Sequence, residues 1–106
     1  MLKISDVIVV AKETVCTDDG DLLSLEYFIR SFTTPNGEAL YGMRIDKRYP
    51  SGGLIEREET RALSCSIADV AALVEAFAAG TVMPCVLHEM IEECFCPYER
   101  KLMTAI

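Results

Sequence analysis

Tryptophan is absent from this 106-residue chain, histidine occurs once, and no apolar run approaches the length of a membrane span. A spanning helix needs about 20 consecutive apolar residues. The N-terminal run from Val7 to Ala11 is far shorter, and Asp6 interrupts its approach. It is also too short for the core of a secretory signal. Clustered cations are missing as well. The chain carries 10 basic and 17 acidic residues, a net charge of −7, and acidic neighbours often flank the basic ones. Nucleic acid and anionic membrane surfaces are polyanions that call for grouped Lys and Arg, so the sequence predicts no nucleic-acid partner and no membrane partner. A Gly-rich phosphate loop is lacking too: Ser51-Gly52-Gly53 has neither the lysine nor the strand-to-helix setting such a loop uses. Internal repeats and low-complexity segments are absent.

What remains is an ordinary globular composition, with 51% hydrophobic and 25% charged residues. The length suits one domain over residues 1–106, and a chain of this size buries roughly 60–70% of its unfolded surface without needing covalent staples. The five cysteines, Cys16, Cys65, Cys85, Cys94 and Cys96, are odd in number and accompanied by no export signal. They read as reduced thiols of a cytoplasmic protein, several of them acting as small buried hydrophobes, and not as a disulfide framework.

The first two-thirds of the chain alternates in steps of two. Strands are predicted at about 4–16, 22–33, 39–49 and 54–63. The second sets Leu23, Leu25, Tyr27 and Ile29 on one face and Ser24, Glu26, Phe28, Arg30 and Phe32 on the other. The third sets Tyr41, Met43 and Ile45 against Gly42, Arg44 and Asp46. Asp18-Asp19-Gly20-Asp21, Pro35-Asn36-Gly37 and Pro50-Ser51-Gly52-Gly53 supply turn chemistry between them. Short turns imply hairpins and hence an antiparallel meander, since parallel strands need long crossovers. The fourth segment, with Glu56-Arg57-Glu58-Glu59, has the charge density of an edge strand.

The period changes at Ser66. Ser66 followed by Asp69 is a helix start, and Ile67, Val70, Ala71, Val74, Phe77 and Ala78 fall on one helical face before Gly80. Pro84 opens a second helix whose apolar stripe is Leu87, Met90, Ile91, Cys94 and Phe95. The predicted helices are about 67–79 and 84–95, with a tail at 97–106. The expected fold is therefore α+β: a four-stranded antiparallel meander followed by two helices packed on one sheet face.

Two stretches are also familiar together: Tyr41-Gly42-Met43-Arg44-Ile45 through Glu58-Glu59 to Ser64 and the following helix, and Gly80-Thr81-Val82-Met83-Pro84 followed by Leu87, Ile91-Glu92-Glu93 and Phe95. Over about residues 22–96 the chain resembles a family of short, uncharacterised Gram-positive bacterial proteins known only as a domain of unknown function. Met83 stands where that family more often has Thr, so the resemblance carries no side-chain cap for the second helix. It implies a compact cytoplasmic domain and no activity, cofactor or catalytic residue.

Four chemical arrangements are worth weighing. Cys85 and His88, three apart on a helix, with Cys94 and Cys96 after them, offer thiolate and imidazole ligands for a metal. The single residue between Cys94 and Cys96 departs from the two-residue spacing of zinc knuckles, and Cys94 belongs to the apolar stripe. His88-Glu89-Met90-Ile91-Glu92 is half of a zinc-protease helix, lacking its second histidine, and a solvated acidic face explains it. A Cys85 nucleophile with His88 as base lacks a group to orient the imidazole. Glu56, Glu58 and Glu59 interleave with Arg57 and Arg61 as an ion-paired strand does. No catalytic constellation and no cofactor is indicated. The reading that follows is a small non-enzymatic interaction or binding module with Phe28, Arg30 and Phe32 on the sheet face opposite the helices. That face is a candidate surface for self-association or for an unidentified protein partner. The alternative is metal- or thiol-dependent activity in the Cys85/His88/Cys94/Cys96 segment.

Overall fold

The computed structural model describes residues 3–92. Four strands, β1 (Lys3–Cys16), β2 (Leu22–Thr33), β3 (Ala39–Arg48) and β4 (Leu54–Glu59), form one antiparallel sheet in the order β1-β2-β3-β4. Helix α1 (Ile67–Ala79) follows, then a 3-10 turn at Pro84–Val86 that continues as helix through 87–92. The meander and its two helices are those expected from the change in period. The last residues assigned to the second helix, and the tail at 97–106, lie outside the described residues.

One turn geometry serves all three hairpins. The N–H groups of Thr17, Thr34 and Tyr49 donate to the carbonyls of Asp21, Glu38 and Gly53, each four residues on, at 2.8–2.9 Å. Gly20, Gly37 and Gly52 donate back to the carbonyls of Thr17, Thr34 and Tyr49 at 2.9 Å, with φ of +85°, +85° and +98°. That left-handed backbone is strained for any residue carrying a Cβ, which is why a glycine closes every turn. The Thr17 and Thr34 hydroxyls also accept the N–H of Asp21 and Glu38.

The core lies between one sheet face and the helices. Leu25, Tyr27, Ile29, Met43 and Ile45 meet Val70, Val74, Phe77 and Ala78 of α1 and Leu87 and Ile91 of the second helix. Ser66 caps α1, its Oγ accepting the Asp69 N–H at 3.3 Å. Ile67 was expected on the buried stripe, yet it is 45% exposed; it lies in the first turn of α1, and the buried residues begin at Val70. Cys16, Cys65 and Cys85 are free, as expected, but exposed where several cysteines were expected to be buried as small hydrophobes; Cys94 and Cys96 lie outside the described residues.

The fourth strand ends at Glu59, four residues before its predicted end. Thr60 breaks the ladder: the Thr60 N–H still donates to Met43 O, but the Met43 N–H donates to Thr60 Oγ1 at 2.9 Å in place of a backbone carbonyl. The chain bows outward and rejoins β3 where Leu63 N–H donates to Tyr41 O and Tyr41 N–H to Ser64 O. Gly42 makes the bow feasible, because a Cβ there would stand 2.5 Å from Arg61 O and 2.8 Å from Thr60 Oγ1.

Candidate functional site: an arginine lattice on the open sheet face

Strand alternation sends every second side chain to the face opposite the helices. The cross-strand register puts Val7, Val9, Lys12 and Thr14 there from β1, and Ser24, Glu26, Phe28, Arg30 and Phe32 from β2. Gly42, Arg44, Asp46 and Arg48 join from β3, and Arg57 and Glu59 from β4.

Asp46 is the centre of this face, and its side chain is fully buried. A buried carboxylate is strongly disfavoured unless hydrogen-bonded and paired. Three arginines meet that need. Arg57 grips it with two bonds, Nε to Oδ1 at 2.9 Å and Nη2 to Oδ2 at 3.0 Å. Arg44 and Arg48 each donate from Nη2 to Oδ2 at 3.3 Å. The Asp46 carboxylate, bonded to the Arg57 guanidinium, holds that arginine's pKa above its ordinary value against the opposing cost of burial. Arg48 continues the lattice through Nε to Glu26 Oε1 at 2.7 Å, and Lys12 lies 3.6 Å from the other oxygen of Glu26.

The aromatics of this face are roofed by guanidinium groups. Arg44 lies over the Phe28 ring, 4.1 Å from its centroid, and Arg30 over Phe32 at 4.7 Å. Cation–π contact of this kind is worth about 0.5–2 kcal/mol, more when desolvated. Phe28, Arg30 and Phe32, the residues the sequence singled out, are therefore brought together but are 6%, 8% and 7% exposed. Arg30 extends across Gly42, its partner in the register, to donate from Nη1 to the Thr60 carbonyl, and Nη2 pairs with Glu59 at 2.8 Å. The bare Gly42 thus serves both its neighbours, admitting the Arg61 backbone and leaving Arg30 its path.

The face is cation-rich in an acidic chain. Lys12, Arg30, Arg44, Arg48 and Arg57 are five cations against the three carboxylates Glu26, Asp46 and Glu59, a surplus of two, while the whole chain stands at −7. Half of its ten Lys and Arg gather here with three of its 17 Asp and Glu. The alternation of Arg44, Asp46 and Arg48 at every second position was the sequence signal for this lattice. Arg57 was visible only as part of a charged edge, and nothing in the sequence marked its bond to Asp46.

The other sequence candidates fall elsewhere. Cys85 sits exposed in the 3-10 turn, and His88 is exposed with Nε2 3.2 Å from Glu58 Oε2. Cys94 and Cys96 lie outside the described residues, and among the described residues no three His, Cys, Asp or Glu gather as metal ligands. Pro84 follows Met83, which makes no side-chain cap. A cavity of about 300 Å³ beside His88 is lined by Thr60, Leu63 and Ile91, and a cleft of about 430 Å³ at the hairpin end by Asp19, Asp21, Leu22, Lys47, Tyr49 and Ile55. No helix among the described residues is long and apolar enough to cross a membrane.

Residues 6–96 match a family described as a Family of unknown function (DUF6514). No curated protein and no solved structure gives a significant match.

Proposed function

The chain belongs to this family of unknown function, and we propose that it is a non-enzymatic binding module that receives an anionic partner on its open sheet face. The observation that carries the reading is the surplus of two cations on that face of a strongly acidic chain. Potentials of opposite sign steer partners together and set their register. Stacking on Phe28 and Phe32 and the bonds to Asp46 hold the guanidinium groups in place, so little side-chain entropy is lost when a partner arrives. We place the protein in the cytoplasm of a Gram-positive bacterium, from the free Cys16, Cys65 and Cys85 and the family resemblance.

Pairing of two copies through the same face is the competing arrangement. It would oppose two surfaces that each carry excess positive charge, which costs free energy, while the large exposed apolar residues that the register places on this face, Val9, Leu22 and Leu54, stand apart on three different strands.

The test compares a fluorescent glutamate-rich peptide with a lysine-rich one of equal length. The account expects the acidic peptide to bind, to weaken as salt rises, and to be lost on Val9→Glu, which places a carboxylate on the face at an exposed position. Equal affinity for both peptides, or indifference to Val9→Glu, contradicts it.

A further inference from the structure

The five cations of the open face are not equally satisfied. Arg57 is bidentate to Asp46, Arg48 donates to Glu26, Asp46 and the Gly52 carbonyl, and Arg30 reaches both Glu59 and the Thr60 carbonyl. Among the described residues Arg44 has one hydrogen bond, the long 3.3 Å contact from Nη2 to Asp46. Its Nε is 3.2 Å from Asp46 Oδ1 but points off the hydrogen-bond direction, and this buried N–H has no acceptor among the described residues. A guanidinium has five donors; here the Nη edge, on a side chain 16% exposed, is left to bond outward. Opposing Glu59, the carboxylate paired with Arg44 in the register, is engaged by Arg30.

The row across the strands at this point reads Val9, Phe28, Arg44. Phe28 is covered by Arg44, and Val9, on the edge strand, is open. Strand spacing puts Val9 and Arg44 about 10 Å apart, a separation that neighbouring side chains of an extended segment can bridge. The geometry points to an acidic peptide segment as the partner, setting a carboxylate against the free edge of Arg44 and an apolar side chain against Val9. This rests on the binding-module reading and narrows it to one partner chemistry.

Carboxylate is favoured over phosphate on structural grounds. Guanidinium forks bind phosphate as well as carboxylate, but many phosphate sites add converging backbone N–H groups at helix N-termini or nests. On this face the backbone N–H groups of β2 and β3 are spent in the ladder, and α1 packs against the opposite face. What the face offers is planar guanidinium forks, and one carboxylate, that of Asp46, is already held by such forks. A long polyanion such as nucleic acid would in addition run on past this face to meet a chain whose net charge is −7.

The decisive experiment follows the guanidinium ¹⁵N–¹H signals of the unmodified protein during titration with a peptide that alternates glutamate and leucine. The expected result is that the Arg44 signals shift and its Nη signals separate, as rotation about Nε–Cζ slows, while those of Arg57 hold still. Arg44→Lys, which keeps the charge but removes the fork, should then weaken binding roughly tenfold, the worth of a charge-assisted bond, with circular dichroism confirming that the variant is folded. Binding that leaves the Arg44 signals unmoved overturns this inference while sparing the binding-module reading. Absence of peptide binding overturns both. Tighter binding of a phosphopeptide or a single-stranded oligonucleotide through the same signals replaces the carboxylate partner with that class.

Discussion

Tyr27 is the largest fully buried side chain of the core, and its hydroxyl donates to the Val82 carbonyl at 3.0 Å, tying β2 to the chain just past α1. Burial pushes its pKa from 10.0 up to about 12, with the charge of Glu13 adding to the effect. The folded form therefore keeps a proton that the unfolded chain releases. Its contribution is full below about pH 10 and declines as pH climbs towards 12, by an amount on the order of 3 kcal/mol. Urea titrations between pH 7 and 12 should show Tyr27→Phe less stable by about 1 kcal/mol at neutral pH, for the lost hydrogen bond, yet less steeply destabilised by alkali than the parent. Parallel curves for the two proteins would refute this. Thr81 marks the opposite case, a residue under strain. It takes φ of +48° after α1, while Gly80 beside it takes −88°. A β-branched residue is poorly suited to that region, so Thr81→Gly should raise stability by about 0.5–1 kcal/mol in thermal melts. The sequence pointed to Gly80 as the terminator; which of two adjacent residues turns left-handed depends on how Val82 packs back, its N–H donating to Phe77 O, and that was not readable in advance.

At the scale of elements, the alternation of Leu25, Tyr27 and Ile29, and of Met43 and Ile45, identified strands and buried face together, because a period of two allows only one assignment once a core is chosen. The end of β4 escaped for a different reason. Thr60 to Leu63 looks strand-like in isolation, and the break comes from Thr60 Oγ1 taking the place of a carbonyl opposite Met43 and from the close approach that Gly42 permits. Gly42→Ala should consequently cost about 1–3 kcal/mol in urea unfolding and dislodge Arg30 from Thr60; an unchanged midpoint would show that the bow can shift at no cost. The lattice on the other face was half legible. Arg44, Asp46 and Arg48 shared one face of β3 by alternation alone, but the partners that bury Asp46 come from another strand. Removing its charge leaves three guanidinium groups facing a neutral amide, and Asp46→Asn should destabilise the fold by about 3–5 kcal/mol. A loss under 1 kcal/mol would mean that the arginines find water or one another's carboxylates instead.

Across the whole molecule, composition does not tell where charge is gathered. In sequence the cations are scattered among acidic neighbours, yet strands 14, 12 and 10 residues long bring residues distant in sequence into a single cation-rich field. Composition is blind to such sorting, since it depends on register. The same sorting bears on self-association: face-to-face pairing would juxtapose like charges, so sedimentation at micromolar concentration and low salt should show a monomer, and a dimer lost on Val9→Glu would restore the competing arrangement. The central claim is that the sheet face opposite the helices is where a partner docks. Amide chemical-shift mapping with the glutamate-rich peptide tests it most directly. The account predicts perturbations concentrated at Val9, Phe28, Arg44 and Arg48; perturbations confined to α1 or to the cleft between Asp19 and Tyr49 would contradict it.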